Sequence, residues 1–160
     1  MTTRRELLVT TARSALALAA LSLTRGVLAA EPFEVTLTDA QWRARLSPQQ
    51  YAVLRREGTE RAGTSPLNGE HRAGTFACAG CALPLFSSRT KFDSGTGWPS
   101  FWKPLDNAVA QRQDRLFGMV RTEVHCRRCG GHLGHVFDDG PRPTGLRYCM
   151  NGVSLTFTPA

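Results

Sequence analysis

The stretch "EVHCRRCGGHLGHVF" (residues 123–137) combines a cysteine pair, a glycine pair and an apolar run with two histidines. Cys126 and Cys129 are separated by two residues, a spacing that lets both thiolates of one tight turn bind the same metal ion. Gly130-Gly131 permits such a turn, and the run after it has the texture of a strand. Two thiolates are half of the four ligands that a structural zinc site needs.

A second Cys-x-x-Cys unit, Cys78 and Cys81, lies in the stretch "GTFACAGCALPLF" (residues 74–86). Two such units can close a tetrahedron of thiolates, which predicts one structural zinc per chain that ties distant strands together. Four sulfur ligands leave no open coordination position, so this zinc would not be catalytic. Two disulfides or a redox-active dithiol are the alternatives that the spacing leaves open.

Short apolar or alternating runs, separated by glycine, proline and aspartate, continue from residue 74 to the C-terminal end. This pattern is typical of short antiparallel strands. The stretch "KFDSGTGWPSFWKP" (residues 91–104) holds two glycines, two prolines and four large aromatic residues, so we expect an ordered loop there. We therefore predict one mainly β domain within the 160-residue chain.

Two capping-box patterns precede this region. Thr38 with Gln41, and Ser47 with Gln50, each place a hydroxyl three residues before a glutamine. They predict two short N-terminal helices between residues 38 and 57, with Gly58 as the stop signal.

Residues 1–29 have the composition of a targeting segment. The pair Arg4-Arg5 precedes an apolar run from Ala15 to Leu23, and small residues follow before a cleavage position near Ala29. About ten apolar residues are too few to span a bilayer core of about 30 Å as a helix. We expect a twin-arginine-type signal peptide, export to the periplasm and no stable membrane insertion. A buried helix or an uncleaved anchor is the alternative.

The formal net charge is +7, but four of the 20 basic residues and one of the 13 acidic residues precede residue 30. The remaining 16 basic and 12 acidic residues give residues 30–160 a mild excess of +4. Without a basic run we expect no nucleic-acid partner. The alternative hypothesis, from a different functional class, is a zinc-ribbon module that binds nucleic acid. In that case the fifth cysteine of the chain, Cys149, would be a buried structural residue.

The fifth cysteine, Cys149, belongs to neither pair. Cysteine is often a buried structural thiol, so its residue type alone assigns no role. However, Arg147 and Asn151 flank it, and two imidazoles, His132 and His135, could stabilise a thiolate and donate a proton. The two histidines could instead be a surface pair or further metal ligands.

Four stretches together carry a resemblance to the B-type peptide-methionine (R)-S-oxide reductases, in chain order from about residue 37 to residue 159: "GTFACAGCALPLF", "KFDSGTGWPSF", "EVHCRRCGGHLGHVFDDGP" and "LRYCMNGVSLTF". The resemblance implies that residues 30–160 form a methionine-R-sulfoxide reductase domain. It also implies a fold of two antiparallel sheets with peripheral helices, and zinc bound by Cys78, Cys81, Cys126 and Cys129. The alternative is a different thiol enzyme on a related zinc-bound β scaffold, such as a glutathione-adduct lyase. Such an enzyme would need an open coordination position on its metal, and four thiolates leave none.

The resemblance also implies roles for individual residues. Cys149 matches the nucleophile, which attacks the sulfoxide and becomes a sulfenic acid, and Trp98 matches the residue that packs on the substrate methyl group. Three further positions match residues around the sulfoxide oxygen: His132, His135 and Asn151. Arg147 and Asp139 fall on supporting, substrate-binding positions.

Two positions depart from the pattern of the resemblance. Thr96 stands where many members have a second cysteine that resolves the sulfenic acid as a disulfide. We therefore expect an external thiol, or a thioredoxin-like protein, to reduce Cys149. Gly152 replaces a serine that often follows the asparagine.

Overall fold

The computed structural model describes residues 33–115 and 120–160, so the predicted signal peptide lies outside it. Two helices come first, α1 (Asp39–Arg45) and α2 (Pro48–Arg56), and both predicted capping boxes are formed. The stop of α2 differs by one residue from the prediction. Glu57, not Gly58, adopts the left-handed conformation at φ 56°. The Gly58 N–H then bonds to the Ala52 carbonyl at 2.9 Å and closes the helix end.

The strands in the described ranges are β1 Gly74–Cys78, β2 Pro84–Ser87, β3 Lys91–Phe92, β4 Ser100–Phe101, β5 Val109–Asp114, β6 Arg121–Cys126, β7 His132–Phe137, β8 Arg147–Met150 and β9 Leu155–Pro159. They form two antiparallel sheets, with strand orders β2-β1-β9 and β3-β4-β8-β7-β6-β5. Short 3-10 turns cover Pro66–Gly69, Ser88–Thr90 and Gly152–Ser154. The mainly β prediction is confirmed.

Aromatic side chains join the two sheets. Phe101 of β4 stacks on Phe86 of β2 with ring centroids 4.3 Å apart, and it meets Phe76 of β1 edge-on at 5.0 Å. Tyr148 and Met150 of β8 are also buried in this core. Because successive side chains of a strand point to opposite faces, Cys149 between them points away from the core.

The aromatic loop, residues 91–104, is largely irregular as predicted, with the two-residue strands β3 and β4 embedded in it. It packs closely on the chain that follows α2. The Gly63 N–H donates to the Gly97 carbonyl at 2.8 Å, and a Cβ on Gly97 would lie 2.8 Å from the Gly63 nitrogen. No helix in the described ranges has the length and apolar character needed to cross a membrane.

Candidate active site and metal centre

The two Cys-x-x-Cys units meet in one buried cluster. The Cys78 and Cys129 sulfurs are 3.7 Å apart, those of Cys81 and Cys126 are 3.5 Å apart, and all four sulfurs lie within 4.8 Å of one another. A tetrahedron with zinc–sulfur bonds of about 2.3 Å has sulfurs about 3.8 Å apart. The four thiols therefore have the spacing that a zinc ion requires.

Both units form the same turn. The residue after the second cysteine has a positive φ in each, 58° at Ala82 and 66° at Gly130. The N–H of that residue bonds to the carbonyl of the first cysteine, at 2.8 Å from Ala82 and 2.9 Å from Gly130. Cys78 is the last residue of β1 and Cys126 is the last residue of β6. Because β1 and β6 belong to different sheets, the cluster joins the two sheets.

The charge balance of the cluster also favours a cation. Hydrogen bonds among the sulfurs raise the pKa of Cys78 and lower the pKa of Cys81. In both cases the hydrogen bond with Cys126 has the largest effect. Thiolates this close repel one another, so they cannot all ionise unless a bound cation neutralises them.

Cys149 lies apart from this cluster, at a cavity of about 230 Å³. The Cys149 side chain is half-buried. In the strand register, Cys149 lies opposite Ser100 of β4 on one side and opposite His135 of β7 on the other. The same row continues through Glu123 of β6 to Arg112 of β5. One transverse row of the large sheet therefore carries a thiol, an imidazole, a carboxylate and a guanidinium. The cavity is lined by Thr59, Trp98, Arg121, Gly134, His135, Phe137, Cys149 and Asn151.

His135 lines this cavity and is oriented by an aspartate. Its Nε2 lies 2.8 Å from Asp114 Oδ2, which also accepts from Arg121 at 2.7 Å. A carboxylate only accepts, so this contact places a proton on Nε2. Burial lowers the pKa of His135 below its ordinary value, and the hydrogen bond with Asp114 offsets this only in part.

His132 is buried behind His135, with the two ring centroids 5.4 Å apart. It lines an adjoining cavity of about 420 Å³ that shares His135, Thr59 and Arg121 with the first. Its Nδ1 lies 2.7 Å from Glu123 Oε1. Burial would raise the pKa of Glu123, but hydrogen bonds with His132 and Arg112 outweigh it and lower that pKa. Arg112 also pairs with Glu57, so a chain of charges extends from His132 to the surface.

Trp98 and Asn151 are held by one residue, Glu60. The Trp98 indole N–H donates to the Glu60 carbonyl at 2.9 Å, and the Glu60 N–H donates to Asn151 Oδ1 at 2.8 Å. The Glu60 carboxylate accepts from the Val153 N–H at 3.1 Å. Asn151 also donates to the Leu133 carbonyl at 3.0 Å, so both ends of its amide are bonded to backbone. Its contact with a sulfoxide oxygen stays a prediction.

Arg147 and Asp139 bind each other rather than line the cavity. Two hydrogen bonds of 2.8 Å join the guanidinium of Arg147 to the carboxylate of Asp139, and the guanidinium lies 4.4 Å over the Phe137 ring. The hydrogen bonds to Asp139 raise the pKa of Arg147, and the negative charge of Cys149 adds to the shift. Arg147 and Cys149 lie two residues apart on β8, so their side chains share one face of the sheet, and Asp139 holds the guanidinium on that face. Their substrate-binding role stays a prediction.

Residues 46–159 match the SelR domain. This chain belongs to the SelR domain family. Three curated relatives that this chain resembles are each named peptide methionine sulfoxide reductase MsrB. That of Thiobacillus denitrificans is 62% identical over 123 residues, which cover 76% of this chain and 93% of the relative. That of Pseudomonas putida is 57% identical over 127 residues, 79% of this chain and 96% of the relative. The protein of Leptospira interrogans is 54% identical over 126 residues, 78% of this chain and 96% of the relative.

The fold explains one departure noted in the sequence of this SelR domain. A Cβ on Gly152 would lie 1.8 Å from the hydroxyl oxygen of Ser65, so that hydroxyl occupies the space a side chain would need. At the other departure, Thr96 Oγ1 lies 3.8 Å from the Cys149 sulfur.

Sequence reasoning missed several residues of this SelR domain that hold the predicted ones in place: Glu60, Asp114, Arg121 and Glu123. Glu60, Asp114 and Arg121 lie outside the four stretches that carry the resemblance, whereas Glu123 begins one of them. For Glu123 the available sequence signal was a carboxylate inside the run "TEVHC", because a strand carboxylate that becomes buried needs a partner. The structure leaves Glu123 only 3% exposed.

Proposed function

We infer that the protein reduces methionine-R-sulfoxide in peptides and proteins to methionine, with Cys149 as the nucleophile. The observation that carries this inference is the placement of Cys149. It opens into a cavity beside Trp98 and His135, whereas the other four cysteines are buried together. The names of the MsrB relatives support the substrate class.

The reaction exchanges one oxygen between two sulfurs. The Cys149 thiolate attacks the sulfoxide sulfur and forms a transient S–S bond. The oxygen then passes to the Cys149 sulfur, and as this new S–O bond forms, the S–O bond of the substrate and the S–S bond both break, which leaves methionine and a sulfenic acid on Cys149. The substrate sulfur gains two electrons and Cys149 loses two. The thiol gives up one proton on ionising, and an imidazolium at His135 or His132 delivers one to the oxygen, so protons balance.

The residues around the sulfur divide this work. The indole of Trp98 offers an apolar surface to the S-methyl group, and its N–H bond to Glu60 fixes the ring plane. Glu123 orients His132, and Asp114 orients His135. Arg147 stabilises negative charge on Cys149, because a neighbouring cation favours the thiolate.

The four-cysteine cluster fits one structural zinc per chain, held by Cys78, Cys81, Cys126 and Cys129. Bound there, zinc supplies folding free energy and no chemistry, because its four positions are filled by sulfur.

We also propose that an external thiol or a thioredoxin-like protein regenerates Cys149, and that residues 1–29 direct export to the periplasm. Thr96 in place of a second cysteine motivates the first proposal. The Arg4-Arg5 pair and the short apolar run motivate the second. N-terminal sequencing of protein from the periplasm should give a start near residue 30; full-length protein retained in the cytoplasm would contradict export.

Separated R and S epimers of a methionine sulfoxide peptide test the activity, with dithiothreitol as reductant. We expect turnover of the R epimer only. Cys149→Ser should keep the fold and lose turnover, since a hydroxyl is a far weaker nucleophile than a thiolate. Turnover of neither epimer by the native protein would overturn the function, and wild-type turnover by Cys149→Ser would overturn the nucleophile.

A further inference from the structure

Three hydroxyl groups form a hydrogen-bonded chain that begins at the Cys149 sulfur. Thr96 Oγ1 lies 3.8 Å from that sulfur and 2.8 Å from Ser94 Oγ, which lies 2.7 Å from Ser100 Oγ. The Ser100 hydroxyl then donates to the backbone carbonyl of Trp98 at 3.1 Å. The chain therefore connects the reacting sulfur with the backbone of Trp98.

The number of protons fixes the direction of this chain. A hydroxyl carries one proton, and a carbonyl can only accept. Because Ser100 donates to Trp98, Ser94 donates to Ser100 and Thr96 donates to Ser94. The fourth contact is then made by the thiol S–H of Cys149, which donates to Thr96. When Cys149 is a thiol, each of these four hydrogen bonds is therefore donated in the direction that leads away from the sulfur.

We propose that this chain reverses when Cys149 ionises, so that Thr96 becomes the hydrogen-bond donor to the thiolate. The proposal rests on the function inferred above, in which Cys149 is the nucleophile. Reversal gives up one neutral hydrogen bond, from Ser100 to the Trp98 carbonyl. It gains a bond to a charged sulfur, and charge-assisted hydrogen bonds are roughly twice as strong as neutral ones.

The hydroxyls only rotate in this step, and no covalent bond between heavy atoms changes. The thiol proton leaves to solvent or to an imidazole, because the chain ends on a peptide carbonyl that is not a base. Thr96 therefore contributes a donor at the sulfur, and it does so in the position where many similar enzymes carry a second thiol.

A reversing chain predicts opposite effects for two substitutions. Thr96→Val keeps the shape and removes the donor, so the thiolate becomes harder to form. Ser94→Ala leaves Thr96 in place but removes the Ser94 oxygen, which accepts the hydrogen bond of the Thr96 hydroxyl when Cys149 is a thiol. The Ser100 hydroxyl can then stay on the Trp98 carbonyl in both states, so ionisation no longer costs that bond. The thiolate should become easier to form.

The pH dependence of iodoacetamide alkylation of Cys149 tests this without any sulfoxide. Trypsin cleaves after Arg147 and releases residues 148–160, whose one cysteine is Cys149, so mass spectrometry can follow this site alone. For Thr96→Val we expect alkylation near neutral pH to slow about tenfold and the half-maximal rate to move to higher pH. Ser94→Ala should move it to lower pH, and Thr96→Ser should restore the wild-type profile.

A Thr96→Val profile that superimposes on the wild type would overturn the proposal. So would a Ser94→Ala profile that does not move to lower pH, since a merely structural role predicts no such opposite shift. Turnover of the R epimer by the wild-type protein is measured separately. Its absence would refute the proposed function without touching the alkylation result.

Discussion

His135 lies directly opposite Cys149 in the register of β7 and β8, and Glu123 lies directly opposite His135 in that of β6 and β7. Directly opposed residues of antiparallel strands present their side chains on the same face, about 5 Å apart. A slip of one residue would turn Cys149 into the core and bring Tyr148 or Met150 to the cavity. The alignment of thiol and imidazole thus depends on the pairing of the large sheet.

Glu123→Gln should reduce kcat about 10-fold to 100-fold with little change in KM. The amide keeps the shape of the side chain but loses the charge that orients His132, and a positioned proton donor contributes about 100-fold or more to such reactions. Glu57→Gln is the matched control, because Glu57 pairs with Arg112 from the exposed end of the same chain of charges. An exposed pair of that kind contributes about 1 kcal/mol at most. A wild-type kcat in Glu123→Gln would contradict the role of Glu123.

Arg147→Met should lower kcat/KM about tenfold or more, while Asp139→Asn should lower it less. The first substitution removes the cation near the Cys149 sulfur, whereas the second leaves the guanidinium over the Phe137 ring. Steady-state kinetics of the two variants decide this. If Asp139→Asn lost as much activity as Arg147→Met, Asp139 would contact the substrate itself, as the resemblance implied.

The isolated protein should contain about one zinc per chain, measured by elemental analysis. Cys126→Ser should lose the metal and unfold, because zinc binding and folding are coupled in such sites. Cys149→Ser is the control and should keep both zinc and fold, since Cys149 lies outside the cluster. A folded, zinc-free Cys126→Ser protein would rule out the structural role.

Reduced enzyme given excess R-sulfoxide and no reductant should release about one methionine per chain. The sulfenic acid on Cys149 blocks a second turnover, and a sulfenic-acid trap should label the peptide of residues 148–160. Thr96→Cys should convert the trapped species into an internal disulfide, because the present 3.8 Å contact brings position 96 to the sulfur. A native disulfide between Cys149 and a cluster cysteine, with release of metal, would show instead that the cluster takes part in turnover.

Acid should weaken the fold in part through His135. Its pKa is lowered by burial, so just below the ordinary value of about 6.5 the unfolded chain binds a proton that the folded protein does not. The stability that this group contributes is complete above about pH 6.5 and is lost as the pH falls through the folded pKa. The free energy of unfolding of the wild type, relative to His135→Gln, should therefore be constant well above about pH 6.5 and decline as the pH falls below that value.

Urea unfolding at each pH supplies the free energies. A wild-type advantage over His135→Gln that stays constant with pH would contradict the effect of burial on His135.

Local spacing in the sequence determined much of this protein. The paired Cys-x-x-Cys units predicted one four-sulfur cluster, and the two capping boxes predicted where both helices begin. These features are decided within a few residues, because a metal-binding turn or a helix cap uses neighbouring backbone groups. The motif stretches also brought Trp98 and His135 together with Cys149 as candidates before any geometry was known.

Only the tertiary structure decided what holds those candidates in place. Asp114 and Arg112 lie on β5, an edge strand of the large sheet whose sequence "VAQRQD" lacks the alternation of apolar residues that predicts strands. Glu60 and Ser94 lie in irregular segments far from Cys149 in sequence. Their contacts follow from strand register and loop packing. Such contacts join residues tens of positions apart, so no local pattern of residue types can specify them.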